Sequence, residues 1–416
     1  GCTDTAKQAA YAFNGDFVLI SDTQAHADQA VTDAKAAPLT DDAAYQDWTG
    51  KVGDRGVANF YVAKEAAGYI ADSLGSFGGW QTSSGSSGAS SAFPSAATSG
   101  FPTDIPTDLT SGFPSAFVSS TSIPSVSVAG DPGASAPYAR AAQDDPNGAS
   151  RKALARFKGA AGALRFADGG AELEIVGGGL DPNLASGPGA GDLVTGLPGD
   201  TTAVFGFAVP KGWAAKVTDN LDSLGLPMFG SGSDFRSTLH NRLGITLPDD
   251  LQTLLGTDVA LSLSGTPVAD IGSVKSPKDL PFGVTVKGDP TKIRAVIAKI
   301  EAKQGKTLAA SGVSVRGGNG KVTLSYDAGY AKSLQSKGDL GGNDSFKKVV
   351  PQAAKASVVF YVDFNSKWRA GIANSMSSDP SSAKDFLVNT DPLEAFGMSS
   401  WSDAGTSHVL VKLTTD

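Results

Sequence analysis

Between residues 76 and 137 the chain contains no Lys, Arg, His or Glu, and its charge is limited to Asp104, Asp108 and Asp131. The stretch is mostly Ser, Thr, Ala, Gly and Pro, punctuated by Phe93-Pro94-Ser95, Phe101-Pro102-Thr103 and Phe113-Pro114-Ser115. Proline at these spacings removes ladder donors, and the apolar surface is too scattered to offset the entropy of ordering. Residues 76–150 therefore read as a disordered insertion, and any core must be built from what flanks it. Ser and Thr interspersed with Pro also resemble O-glycosylated extracytoplasmic stalks.

The chain has 416 residues, which at about 100–200 residues per domain suggests two or three domains. Its 34 basic against 42 acidic residues give a net charge of −8, which argues against a nucleic-acid partner needing a basic face. A hydrophobic fraction of 40% is enough for real cores, while 51 Gly and 22 Pro point to long irregular stretches as well. One cysteine excludes an internal disulfide framework and a cysteine-built zinc site. No window holds the about 18 uninterrupted apolar residues of a membrane helix.

The flanks carry regular patterns. Phe17-Val18-Leu19-Ile20 is a short strand after the Asn14-Gly15 turn, and residues 24–36 form an alanine-rich helix candidate. Residues 57–62 read as a second strand, and residues 64–74 place Ala67, Ile70, Ala71 and Leu74 on one helical face. Asp168-Gly169 lies between alternating segments, the sign of a tight hairpin. Residues 177–192 read as a Gly/Pro linker. Beyond it come a strand at 203–209, a helix presenting Trp213, Val217, Leu221 and Leu224 on one face, and then another presenting Phe235, Leu239 and Leu243. A short helix follows at 248–255, closed by Gly256. Strands at 258–263 and 282–287 precede an Asp289-Pro290 helix start that buries Ile293, Val296, Ile297 and Ile300. Residues 313–315 and 321–325 flank a Gly/Asn turn as another hairpin.

The chain also resembles itself. Phe17-Val18-Leu19-Ile20-Ser21 pairs with Lys321-Val322-Thr323-Leu324-Ser325, Tyr45 falls opposite Phe346, and Val57-Ala58-Asn59-Phe60-Tyr61-Val62 matches Ser357-Val358-Val359-Phe360-Tyr361-Val362. The hairpin at Asp168-Gly169 matches a closing hairpin that turns near Asp403-Ala404-Gly405. The insertion falls where the second copy has a short connection. The expected architecture is α+β: two repeated units of mostly antiparallel sheet with helices packed on one face, the first unit incomplete. Residues 1–75 plus 151–176 would be the second half of a first unit, and residues 193–416 a complete second unit.

Leu197-Pro198-Gly199-Asp200-Thr201 leading into a strand, Asp249-Asp250-Leu251 leading through Gly256 into Asp258-Val259-Ala260-Leu261, and Thr23-Gln24-Ala25 with Pro38-Leu39-Thr40-Asp41-Asp42 are structural punctuation. In these stretches the chain resembles an uncharacterised domain-of-unknown-function family of membrane-anchored extracytoplasmic proteins of high-GC Gram-positive bacteria. The resemblance implies a cell-envelope location, extracytoplasmic and either membrane-anchored or secreted, with a cytoplasmic tail and one membrane span ahead of the first unit. It brings no activity with it.

Catalytic patterns are weak. Gly187-Pro188-Gly189-Ala190-Gly191 is interrupted by Pro188 and reads as linker rather than a dinucleotide loop. Gly305-Lys306-Thr307 lacks the earlier glycine of a phosphate loop, where Ile300 stands. His26, His240 and His408 lack metal-ligand spacing, and no Gly-x-Ser-x-Gly elbow occurs. Glu65, Glu172, Glu174, Glu301 and Glu394 sit singly or alternate on a strand. Trp48, Trp80, Trp213, Trp368 and Trp401 read as core or interface anchors. Gly1-Cys2 is the junction of a lipoprotein cleavage site, or an incidental cysteine, which the absence of a preceding apolar segment favours. The expectation is thus a non-enzymatic envelope binding or scaffold module, with no catalytic, metal or cofactor residue assigned and an envelope protein, glycan or lipid as partner. Two alternatives stand beside it: a carrier of a hydrophobic, lipid-like ligand held between sheet and helices, and a hydrolase with an unrecognised site. A pocket between helices and sheet would favour the carrier, and a filled core the binding module.

Overall fold

A computed structural model describes residues 10–15, 17–21, 23–53, 55–66, 156–167, 169–179, 189–219, 232–264, 281–364, 369, 373 and 380–415. The insertion at 76–150 lies outside the described residues, as does the greater part of the helix expected at 64–74. The described residues form two compact units, each taken by itself below.

In the first unit, β1 (Ala10–Asn14) and β2 (Phe17–Ser21) form an antiparallel two-stranded sheet, followed by α1 (Gln24–Ala36). Gly15 turns the hairpin at φ 61°, a value that costs glycine nothing. Thr23 caps α1 by accepting the His26 amide at 3.2 Å.

The second unit is built on an 11-stranded antiparallel sheet in the order β3-β4-β5-β13-β12-β11-β6-β7-β8-β10-β9. Its elements run α2 (Ala43–Val52, of which Ala43 belongs to the first unit), β3 (Ala58–Val62), β4 (Gly159–Ala167), β5 (Gly170–Gly178), α3 (Gly189–Thr195) and β6 (Thr201–Ala208). There follow α4 (Trp213–Asp219), α5 (Gly232–Leu243), α6 (Asp249–Leu255), β7 (Asp258–Ser264), β8 (Phe282–Lys287), α7 (Pro290–Gln304), β9 (Ser314–Gly318) and β10 (Lys321–Ser325). The chain closes with α8 (Ala328–Ser333), α9 (Asp344–Val349), β11 (Val358–Asp363), α10 (Pro380–Thr390), β12 (Leu393–Asp403) and β13 (Thr406–Thr415). The fold is α+β with antiparallel sheets. The expected linker at 177–192 is narrower than its Gly/Pro content suggests: Gly177 and Gly178 end β5, and α3 starts at Gly189. Both ends use glycine because bulk is close. A Cβ on Gly178 would stand 2.5 Å from the Trp48 ring, and one on Gly191 would stand 1.5 Å from the Ala353 carbonyl oxygen.

Of three buried clusters among the described residues, the two larger lie on opposite sheet faces. Val204, Ala260, Val359, Tyr361 and Ala395 face α3 and α9 in one cluster with Leu193, Val194, Phe346 and Val349. Successive strand residues alternate faces. Val259, beside Ala260, therefore joins Val286 and Val322 against Ile293 and Ile297 of α7, with Leu254 and Leu255 of α6 packed alongside. Helices thus cover both faces of the β7-β8-β10 region, where the sequence pattern predicts one. Asp289 caps α7 by accepting the Thr291 amide at 2.9 Å.

The self-resemblance has a structural counterpart, element by element. Hairpin β1–β2 pairs Tyr11 with Ile20 and Phe13 with Val18; β9–β10 pairs Val315 with Leu324 and Gly317 with Val322, in the same register about the turn. Asp327 caps α8 through the Tyr330 amide at 2.8 Å, as Thr23 caps α1, and Ala27 and Ala331 are both fully buried. The meander β3-β4-β5 has the same strand order as β11-β12-β13. Tyr45 meets Tyr61 edge-on with ring centroids 5.3 Å apart, and Phe346 meets Tyr361 edge-on at 5.1 Å. Phe346 and Tyr361 are buried, whereas Tyr45 and Tyr61 are half-buried. Phe346→Ala is accordingly expected to cost about 3–5 kcal/mol, and Tyr45→Ala roughly 1–2 kcal/mol. Chemical denaturation of the two variants against the parent measures both.

Candidate functional site

The two meanders meet where β5 pairs antiparallel with β13. Matching the turn at Gly169 with that at Gly405 makes Glu174 the counterpart of Leu410, and these two residues pair with each other across the junction. A local two-fold relation therefore passes through the Glu174–Leu410 pair.

Each residue row beside that axis appears twice. One row crosses four strands as Arg165, Glu172, Lys412 and Gly397, and reaches Tyr361 on β11. Its counterpart runs Trp401, His408, Val176, Ala161 and Tyr61. In the first row the side chains form an ionic chain. Arg165 Nη1 donates to Glu172 Oε1 at 2.8 Å and to Glu174 Oε2 at 2.9 Å, and Lys412 Nζ stands 3.0 Å from Glu172 Oε2. Arg165 Nη2 also donates to the Val52 carbonyl at the end of α2. Exposure falls to 15% for the Arg165 side chain and 8% for Lys412, so the chain is largely withdrawn from water. Burial alone would lower the Arg165 pKa, but its hydrogen bonds to Glu174 and Glu172 prevail and raise it. In the second row the equivalent of Arg165–Glu172 is an aromatic stack, with the Trp401 and His408 ring centroids 4.9 Å apart and the planes 2° from parallel. His408 Nδ1 is buried without a hydrogen bond. Burial, with a smaller contribution from Lys355, depresses the His408 pKa against the opposing pull of Glu174 and Asp403.

Two further buried carboxylates of the second unit are also engaged. Glu394 accepts from Lys348 Nζ at 2.8 and 2.9 Å and from Ser345 at 3.1 Å, and the Lys348 hydrogen bond leads the lowering of its pKa. Asp250 accepts from Lys299 Nζ at 2.8 Å and from the Thr246 amide at 2.7 Å; these bonds outweigh burial and lower its pKa. Burial raises the Tyr330 hydroxyl to about 12, and its proton goes to Ser262 Oγ at 2.8 Å.

The face opposite the ionic chain is apolar. Leu173 and Ile175 on β5, Val409 and Val411 on β13, and Met398 on β12 alternate with the row residues and are half-buried. They make a continuous aliphatic strip across the junction.

Of the histidines weighed from sequence, His240 is exposed on α5, His26 sits half-buried in the first turn of α1, and His408 alone reaches the junction. Glu172 and Glu174, noted only as alternating on a strand, are the acidic half of the ionic chain. Their alternation with Leu173 and Ile175 signals one polar strand face, but nothing local announces Lys412 as partner. Trp48 anchors the first meander, its Nε1 donating to the Lys158 carbonyl at 3.0 Å. Among the described residues no group of three or more His, Cys, Asp or Glu could hold a metal ion, and no helix is long and apolar enough to cross a membrane. No protein-family model, no curated protein and no solved structure matches the chain.

Two outcomes test this geometry. Lys412→Met should cost roughly 2–4 kcal/mol, because it leaves part of a withdrawn carboxylate uncompensated; urea denaturation reads the loss. For His408 the folded pKa lies below the unfolded value, so the unfolded chain takes up the proton first. Its contribution to stability is complete above the unfolded pKa of about 6.5 and is lost as pH falls through the folded one. Denaturation midpoints should therefore drop on acidification below neutrality, and less so in His408→Phe.

Proposed function

We propose that this protein is a non-enzymatic, extracytoplasmic cell-envelope module that binds or scaffolds an envelope partner, as the resemblance to membrane-anchored envelope proteins implies. The observation that carries the reading is the filled core between sheet and helices. Tyr361, Phe346, Leu334, Leu340 and Val349 on one face, and Val322 and Ile293 on the other, are at most 2% exposed, so side chains occupy the space a carrier would keep for its ligand. Binding then falls to a surface, and the half-buried strip of Leu173, Ile175, Met398, Val409 and Val411 supplies apolar contact without a catalytic group. The ionic chain beneath it supports the reading from the other side, because Glu172 and Glu174 are committed to Arg165 and Lys412.

Native mass spectrometry of the protein isolated from its own envelope tests the proposal. The expected result is a retained protein or glycan partner, lost in a Val411→Lys variant of unchanged melting temperature. A retained lipid would move the reading to the carrier, and a bare parent chain would overturn both.

A further inference from the structure

The exposed face of hairpin β1–β2 has a counterpart in the same chain that shows what covers such a face. Tyr11, Phe13, Val18 and Ile20 share one side of the hairpin and are 60%, 68%, 56% and 73% exposed. Four large apolar side chains this exposed on one small sheet are uncommon on a free surface. Their equivalents are Val315, Gly317, Val322 and Leu324. There β10 pairs antiparallel with β8, Val322 is fully buried, and Ile293 and Ile297 of α7 pack with Val315, Val322 and Leu324 in one core. In the first unit β2 has β1 as its sole strand neighbour among the described residues.

We propose that the Tyr11, Phe13, Val18 and Ile20 face, together with the outer edge of β2, is a docking surface for an antiparallel strand followed by an amphipathic helix, built as β8 and α7 are. The element order of the second copy, in which α7 precedes β9, puts that occupant on the N-terminal side of β1 in the same polypeptide. The strand adds to β2 by main-chain hydrogen bonds, and aliphatic side chains at helical i and i+4 spacing, as at Ile293 and Ile297, cover Val18 and Ile20. One position must differ from α7. A Cβ on Gly317 would stand 2.9 Å from Arg294 Nε, so Arg294 lies directly on the hairpin there. Phe13 takes the place of Gly317, and a helix docking on β1–β2 needs a small residue where α7 carries Arg294.

The test adds a synthetic peptide of residues 281–305 carrying Arg294→Ala to the full chain and follows amide exchange. The expected result is new protection at residues 17–21, absent in a Val18→Asp, Ile20→Asp double variant whose α1 amides exchange as in the parent. The peptide with Arg294 retained should bind about tenfold more weakly, the order expected for one overpacked contact. Unchanged exchange at residues 17–21 with saturating peptide would overturn the proposal. So would protection without peptide that rises with protein concentration, which would make a second copy the occupant.

Discussion

The antiparallel pairing of β5 with β13 holds the second unit's sheet together. Without it β3-β4-β5 would be a three-stranded meander with an open edge, and β13 would end the other eight-strand block as another. Pairing the last strands of the two meanders removes both edges at once. It also fixes the register: a slip by one residue would turn Glu172 and Glu174 to the aliphatic side and Leu173 and Ile175 into the ionic row. The Lys412–Glu172 contact and the continuous aliphatic strip are two consequences of the same alignment.

The two rows beside the axis show how far side-chain chemistry can diverge on one backbone plan. Arg165–Glu172 and Trp401–His408 hold matching cross-strand positions, one as a charge-assisted pair and the other as a flat stack. Sheet geometry asks only that directly opposed side chains be compatible, and both solutions meet that condition. The differences follow the helices above. Trp48 of α2 lies over Gly159 and Gly178, while Val349 of α9 lies on Gly397, whose missing Cβ would otherwise be 2.4 Å from the Val349 carbonyl oxygen.

Burial divides the two meanders more sharply than sequence does. Phe346 and Tyr361 are sealed beneath a complete set of helices, whereas Tyr45 and Tyr61 keep the same edge-on contact half-buried. Across β7, Ala260 and Val259 serve different cores, and Ser262 and Ser264, which alternate with Val259, Leu261 and Leu263, are buried as well, so the alternation there separates small from large side chains rather than solvent from core. A sheet covered on both faces there has no open side to offer. The half-buried aliphatic strip lies instead at the junction of the meanders.

Much of the fold was legible in the sequence. Asp289-Pro290 starts α7, Gly256 ends α6, and Phe282–Lys287 has the bounds its pattern suggests, because caps, turns and periodicity are local and act over a few residues. The self-resemblance is read from the order of those local signals. The strand order was not, since which last strand lies beside which depends on pairing between segments far apart in the chain. For the same reason Glu172 and Glu174 could be seen to share a face, but not to meet Lys412. Nor could Val18 and Val322, alike in sequence, be told apart as exposed and buried. That difference is decided by whether a helix such as α7 lies on the strand, and only tertiary packing brings one there.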